Sequence, residues 1–281
     1  MPTLDAGLAE WVLAQVKAGQ PPETVVRPLL DAGWEEQAAI EAIEATVRDY
    51  MERSAREQGL PPAVPVPVPV EWNGAARLQA LDREVHVLAH LLHPQVVVFG
   101  GLLSDEECDA LIEMARPRLR RSTTLDLSTG GDVVHEARTS QGLCFVRGEN
   151  ALCARIEARI AALTGWPLEN GEGLQVLRYG VGAEYKPHHD YFDPDQPGSE
   201  VVLRRGGQRV ASVVMYLNTP RRGGATVFPE LNFEVAPVRG NAVFFSYDRP
   251  HPVTRTLHGG APVIEGEKWI ATKWLRERRH D

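Results

Sequence analysis

The chain has 281 residues, 43% hydrophobic and 24% charged, with a formal net charge of −8. That length supports one good-sized domain plus a small one, the acidic balance argues against general nucleic-acid binding, and no apolar run approaches the roughly 18 residues of a membrane span. The opening Met-Pro-Thr-Leu-Asp lacks the basic region and apolar core of a signal peptide, and Cys108, Cys144 and Cys153 form no close pair motif, so we expect a cytoplasmic protein with reduced thiols.

Residues 1–58 read as a small all-α domain. Trp11, Val12, Gln15 and Val16 share one helical face, and Pro21-Pro22-Glu23 has the form of a helix start. Val25, Val26, Leu29 and Leu30 continue the 3.6-residue period, Ala32-Gly33-Trp34 marks a turn, and Ala39, Ile40, Ile43 and Val47 make a third stripe. The segment holds eleven acidic and five basic residues, a net of −6. Three short helices with a glycine-aromatic turn resemble the small ubiquitin-associated-like modules, a likeness from which ubiquitin binding does not follow. Two readings stand: a helical bundle with solvated acidic faces, or a module that recruits a protein partner. Residues 59–72 read as a linker, because Pro61 to Val70 alternates proline with valine and favours polyproline II. Ten residues at about 3.1 Å each would span roughly 30 Å, a stiff spacer.

Residues 73–281 form the main domain. Leu78, Leu81, Val85, Leu88 and Leu92 predict a helix over 74–92, and Val96-Val97-Val98-Phe99 predicts a strand. Ser104 and Glu107 stand at capping-box spacing before a helix that runs to about Ala115. A second helix is expected over about 150–163. The remainder is rich in short strands broken by glycine and proline, which predicts a mostly β fold with supporting helices, a jelly-roll sandwich. Two polar, turn-rich stretches, about Ser122 to Ala137 and Asp193 to Gly207, are candidate lids.

The chemistry concentrates late in the chain. Tyr185-Lys186-Pro187-His188-His189-Asp190 contains a His-x-Asp pair. If the run is extended, His188 and Asp190 share a face and His189 points away, so His188 is the expected ligand. His251 sits between prolines in a predicted loop, whereas His258 ends the alternating run Thr254-Arg255-Thr256-Leu257-His258 and can project from a strand end. Two histidines and one carboxylate can hold one face of a non-haem Fe(II) and leave the other open. Lys268, ten residues beyond His258, begins a strand whose alternation puts Lys268, Ile270, Thr272 and Trp274 on one face and Lys273 on the other. A lysine at that reach can grip an acidic co-substrate, which together with the metal set points to a 2-oxoglutarate-dependent oxygenase.

On these residues the C-terminal part resembles the catalytic domain of prolyl 4-hydroxylases. The matching segments run in order: Arg138-Thr139-Ser140, Leu174 to Tyr179, Tyr185 to Phe192, Gln208 to Leu217, Gly223 to Pro229, Leu257 to Val263, and Gly266 to Trp269. The resemblance covers roughly residues 95–276. It implies the double-stranded β-helix form of the jelly roll, and a procollagen-proline 4-dioxygenase-like activity. His188, Asp190 and His258 would ligate Fe(II), and Lys268 would bond the distal carboxylate of 2-oxoglutarate. Tyr179 and Thr226 would add hydroxyl contacts to that co-substrate. Arg209, Glu172 and Trp274 would lie near the peptide substrate or the active-site wall. It further implies O2 as oxidant, succinate and CO2 as co-products, ascorbate as a supporting reductant, and a proline-containing peptide or protein as substrate. Ser212 stands where the family often has threonine, and Arg221-Arg222 replaces a usually acidic turn before Gly223-Gly224. The Pro/Val run then acquires a second reading, as a self-substrate or an occluding segment. A related oxygenase on a free amino acid or small molecule, and a non-catalytic binding protein that keeps the fold, are the alternatives. The short basic run Arg276-Glu277-Arg278-Arg279 is expected to be a solvated end. It is not expected to be a nucleic-acid site.

Overall fold

The computed structural model describes residues 3–71, 74–121, 124–125, 132–133 and 139–280, and it divides into two compact units, Met1–Ala63 and Val64–Asp281. The first unit is three helices, α1 (Ala6–Lys17), α2 (Pro22–Asp31) and α3 (Glu36–Glu57). The Asp5 side chain caps α1 by accepting from the Leu8 N–H, proline occupies the first position of α2, and the Glu35 carboxylate caps α3 through the Ala38 N–H. Val12, Val25, Leu29, Ala39 and Ala42 form its buried apolar centre.

The Pro/Val run does not behave as a free spacer beyond Ala63. The Val64 N–H donates to the Asp248 carbonyl at 2.8 Å, and Gln95 Nε2 donates to the Val70 carbonyl at 3.3 Å. Val64, Val66 and Val70 pack against the apolar core of the second unit. Prolines lack an N–H to satisfy, so the valines supply both the main-chain bond and the apolar contact.

The helix expected over 74–92 is a β-hairpin, Arg77–Ala80 with Arg83–Leu91. Leu81 sits at the two-residue turn with φ 57° and is exposed, as are Leu88 and Leu92, while Ala80 and Val85 are fully buried. The leucine spacing mimics a helical stripe, but a bulge between Val87 and Ala89 shifts the strand's register. The turn carries no glycine or asparagine, and its Asp82 is held by Arg159 at 2.8 and 2.9 Å. That tertiary tie is invisible in a local window.

The strand at Val96–Gly100, the capping box of Ser104 and Glu107 on α4 (Asp105–Ala115), and α5 (Ala151–Thr164) follow the sequence expectation. A nine-stranded antiparallel sheet runs in the order Arg77–Ala80, Arg83–Leu91, Val96–Gly100, Ala242–Ser246, Arg209–Tyr216, Lys268–Arg276, Gln175–Tyr179, Gln141–Cys144, Arg120–Arg121. A four-stranded sheet has the order Phe233–Val235, Thr226–Phe228, His258–Gly260, Tyr185–His188. One face of the large sheet packs with α4 and α5 around Phe99, Leu111, Ile156, Ile160 and Trp269. The other face joins the small sheet around Tyr179, Tyr216, Phe228, Phe245 and Ile270. This is the expected mostly β jelly roll with supporting helices. Among the described residues no helix is long and apolar enough to cross a membrane.

The first candidate lid, about Ser122 to Ala137, lies outside the described residues except for the ladder Thr124–Leu125 with Asp132–Val133, and Arg138 lies outside them too. The second, Asp193 to Gly207, contains a short helix, α6 (Ser199–Leu203), rather than turns alone.

Candidate active site

A pocket opens between the two sheets. It is lined by Tyr185, His188, Thr226, His258, Gly259 and Gly260 from the small sheet side, and by Leu177, Tyr179, Val214, Lys268, Ile270, Thr272 and Trp274 from the large one, together with the buried Asp190. The alternation read along Lys268–Arg276 therefore holds, because every second residue from Lys268 to Trp274 faces the pocket. His258 and His188 are directly opposed partners in adjacent antiparallel strands, which sets their rings side by side with centroids 4.4 Å apart. Gly259 is required there, since a Cβ would stand 2.8 Å from the Tyr185 carbonyl oxygen.

His188, Asp190 and His258 each offer one ligand atom, all within 4.8 Å of one another. His189 stacks on Tyr191 instead, and the His251 ring accepts from the Val253 N–H within its own turn. The two facing imidazoles are pre-oriented. His188 Nδ1 contacts the Lys186 carbonyl at 2.9 Å and His258 Nδ1 the Thr256 carbonyl at 3.0 Å. Each Nδ1 therefore carries a hydrogen, and each Nε2 faces the Asp190 carboxylate. His188 Nε2 lies 3.6 Å from Asp190 Oδ1 and His258 Nε2 lies 3.5 Å from Asp190 Oδ2, too long for good hydrogen bonds and suited to a shared cation. Burial pushes His258 down to about 4. Burial alone would raise the Asp190 carboxyl, but the neighbouring histidines and Arg209 hold it well below its usual range. Two imidazoles and a carboxylate on one side of an open pocket suit a divalent transition metal with unfilled positions, so the donor set fits Fe(II).

Lys268 sits deep in the same pocket, 2% exposed, its Nζ 5.5 Å from the Tyr179 ring centre and 6.0 Å from that of Tyr216. It makes no ion pair among the described residues, and burial pushes it down to about 8. Gly224 adopts φ +75°, and a Cβ there would press on Lys268 Cδ at 3.1 Å. Thr226 Oγ1 accepts from the Tyr216 hydroxyl at 2.8 Å, so its own hydrogen remains available to an acceptor in the pocket.

Arg209, Glu172 and Trp274 come together beside the pocket. The Arg209 guanidinium bonds Glu172 at 2.7 and 2.9 Å and lies 3.9 Å from the Trp274 ring centre. Burial would raise the Glu172 carboxyl, but Arg209 and Arg276 hold it below its usual range. Arg209 also reaches the Asp190 carbonyl at 3.4 Å. Arg276 corrects the reading of a solvated tail. It is 1% exposed, bonds Glu172 at 3.2 Å and the carbonyls of Val202 and Arg205, and pairs across the sheet with Arg209. Its signal was present, since the period of two that carries Lys268 and Trp274 inward carries Arg276 inward as well. The sequence does not mark Tyr216, which ends an apolar strand, or Tyr247, which follows one, because a tyrosine in an apolar run reads as core. In the turn that departs from the resemblance, Arg221 pairs with Glu265 at 3.1 Å on the surface.

Residues 174–276 match the model of the 2OG-Fe(II) oxygenase superfamily. The chain is 39% identical to Probable prolyl 4-hydroxylase 7 of Arabidopsis thaliana over 65% of its own length and 62% of that protein's. It is 41% identical to Prolyl 4-hydroxylase 5 of the same plant, over 69% of this chain and 72% of the relative. Among solved structures, the viral collagen prolyl hydroxylase of Paramecium Bursaria Chlorella virus-1, in its 2-oxoglutarate complex, superposes with TM-score 0.50 at 32% identity, covering 64% of this chain and 95% of that one. With the metal-ligand set, the buried lysine and the jelly roll already in place, these relatives make the chain a member of the prolyl 4-hydroxylase family of Fe(II)- and 2-oxoglutarate-dependent oxygenases.

Proposed function

We propose that the protein hydroxylates prolyl residues, at the 4-position, in a peptide or protein substrate, while 2-oxoglutarate and O2 are converted to succinate and CO2. The observation that carries this reading is the convergence of His188, Asp190 and His258 on a pocket that also holds a buried lysine without a counter-ion among the described residues. His188, Asp190 and His258 would hold Fe(II), which when bound supplies the activation of O2 that side chains cannot provide.

The chain's own residues do the rest. Lys268 receives the distal carboxylate of 2-oxoglutarate as a charge-assisted hydrogen bond, and Thr226 and Tyr179 orient that carboxylate by their hydroxyls. The apolar lining from Leu177, Val214 and Ile270 excludes water and so strengthens each of these polar contacts. Trp274, backed by Arg209 and Glu172, forms a flat wall against which a prolyl ring can stack. Tying Arg209 to Glu172 fixes that wall in place, so the peptide is positioned at little entropic cost.

Ascorbate as a supporting reductant and a cytoplasmic setting belong to the same reading. Supporting the latter, all three cysteines are free, and burial pushes Cys108 and Cys153 up to about 11. A protein partner recruited through residues 1–58 is the remaining part of it. The docked Pro/Val valines pack on the helix-side core, away from the cluster that lines the pocket, which argues against that stretch as an occluding segment.

The test is to incubate the iron-loaded protein with 2-oxoglutarate, O2 and a proline-rich peptide and to weigh both. The expected result is one added oxygen on the peptide per succinate, recovered as 4-hydroxyproline and abolished in His188→Ala. Succinate release with no oxygen on any prolyl peptide would overturn the peptidyl assignment in favour of a small-molecule substrate.

A further inference from the structure

The Asp190 carboxylate has a hydrogen-bonding partner besides the two histidines that face it. Ser212 Oγ donates to Asp190 Oδ2 at 2.6 Å, and Ser212 Oγ stands 3.0 Å from the Tyr247 hydroxyl. Ser212 is fully buried and Tyr247 is 2% exposed, so no bulk water competes. A serine has one hydroxyl hydrogen. Ser212 gives that hydrogen to the carboxylate, an acceptor only when ionised, so the second contact must run from Tyr247 to Ser212. The result is a directional donor chain, Tyr247 to Ser212 to Asp190.

Its scaffold is rigid. Ser212 lies in the centre of the large sheet, opposite Phe245 on one side and Trp274 on the other. The Tyr247 N–H is held by the Val210 carbonyl at 2.9 Å, and the Asp190 main chain is contacted by Arg209 at 3.4 Å. The main chain of Asp190 is thus held by one group and its carboxylate by another. Without Ser212 the carboxylate could rotate about its last torsion, a broad and soft one, and lose its alignment with the two Nε2 atoms.

We propose that Tyr247 and Ser212 are positioning residues that set the rotation of the Asp190 carboxylate and thereby the affinity of the site for Fe(II). This rests on the reading of His188, Asp190 and His258 as the iron site. Hydrogen-bond partners of metal ligands commonly change metal affinity by about 10- to 100-fold when removed. Tyr247 acts only through Ser212, so its contribution is smaller and conditional.

The experiment is an anaerobic titration of the full-length protein with Fe(II) against a competing chelator, without turnover. Ser212→Ala is expected to weaken binding by about 10- to 100-fold. Tyr247→Phe, which keeps the ring and the fold, is expected to weaken it by about threefold. In the double variant the tyrosine change should add nothing to Ser212→Ala. Binding by Ser212→Ala within twofold of the parent would overturn the proposal, and so would unchanged affinity in Tyr247→Phe. Losses that multiply in the double variant would show two independent effects and no chain. Asp190→Ala separates the premise: full iron binding by that variant would sink the iron site itself, whereas its loss alongside an unaffected Ser212→Ala would sink only the donor chain.

Discussion

Lys268 and Lys273 stand on the same strand, each 2% exposed, and they are treated in opposite ways. Lys273 faces the helix side, where its ammonium meets the Glu157 carboxylate at 2.9 Å and Glu157 also accepts from the Gly148 N–H at 2.8 Å. Gly171 makes room for it, since a Cβ there would stand 2.5 Å from Lys273 Cε. Lys268 faces the pocket and has aromatic neighbours but no counter-ion among the described residues. A buried charge without a partner is costly. On the packed face the fold supplies the partner, and on the pocket face it leaves that place to a ligand. An uncompensated buried ammonium in a cleft is therefore a stronger pointer to function than a buried lysine as such.

Removing one partner on the packed face should have the largest effect. Glu157→Gln leaves the Lys273 ammonium buried and alone, and should destabilise the protein by about 3–5 kcal/mol. A double change to Glu157→Leu with Lys273→Met should recover most of that, read by urea unfolding. On the pocket face the expectation reverses. Lys268→Met removes a charge that has no internal partner, so stability should hold or rise. The affinity for 2-oxoglutarate should fall by roughly 10- to 150-fold, the scale of a hydrogen bond to a charged group. Equal destabilisation by Lys268→Met and Lys273→Met would mean that both lysines are structural and would remove Lys268 from the site.

The same strand explains what was legible in the sequence. Residues that act through a period of two were readable. His188 and Asp190 share a face, and Lys268, Ile270, Thr272 and Trp274 line the pocket because extended backbone alternates. The capping box of Ser104 and Glu107 was readable because its partners are three residues apart. What failed depended on distant partners. The hairpin of Arg77–Ala80 with Arg83–Leu91 is secured by its pairing to Val96–Gly100 and by Arg159 acting on Asp82, and neither tie leaves a mark in the leucine spacing. Arg276 reads as tail because Glu277, Arg278 and Arg279 follow it, yet its partner Glu172 lies on another segment. The Pro/Val run forms no helix or strand, and its valines dock on the apolar core. Local periodicity is carried by the chain itself, whereas charge compensation is carried by the fold.

A finer consequence follows from the Lys268 value of about 8. The value lies below that of an ordinary lysine because burial disfavours the ammonium. From about pH 8 up to the usual lysine range near 10.4, the unfolded chain therefore binds more protons than the folded one. Lys268 alone thus makes the protein more stable as the pH rises through that window. Ligand binding runs the other way. On the proposed role of Lys268, the distal carboxylate of 2-oxoglutarate would bond the ammonium and not the amine, so affinity should be flat below about pH 8 and fall by about tenfold per unit above it. The measurement is the dissociation constant of 2-oxoglutarate across pH 6.5 to 9.5, repeated in Lys268→Arg. A guanidinium stays charged throughout that range, so the variant should lose the alkaline decline even if its affinity is lower overall. A decline of the same slope in both proteins would assign the titration to another group. A flat profile in the parent would mean that Lys268 does not titrate between pH 6.5 and 9.5, and would overturn the lowered value.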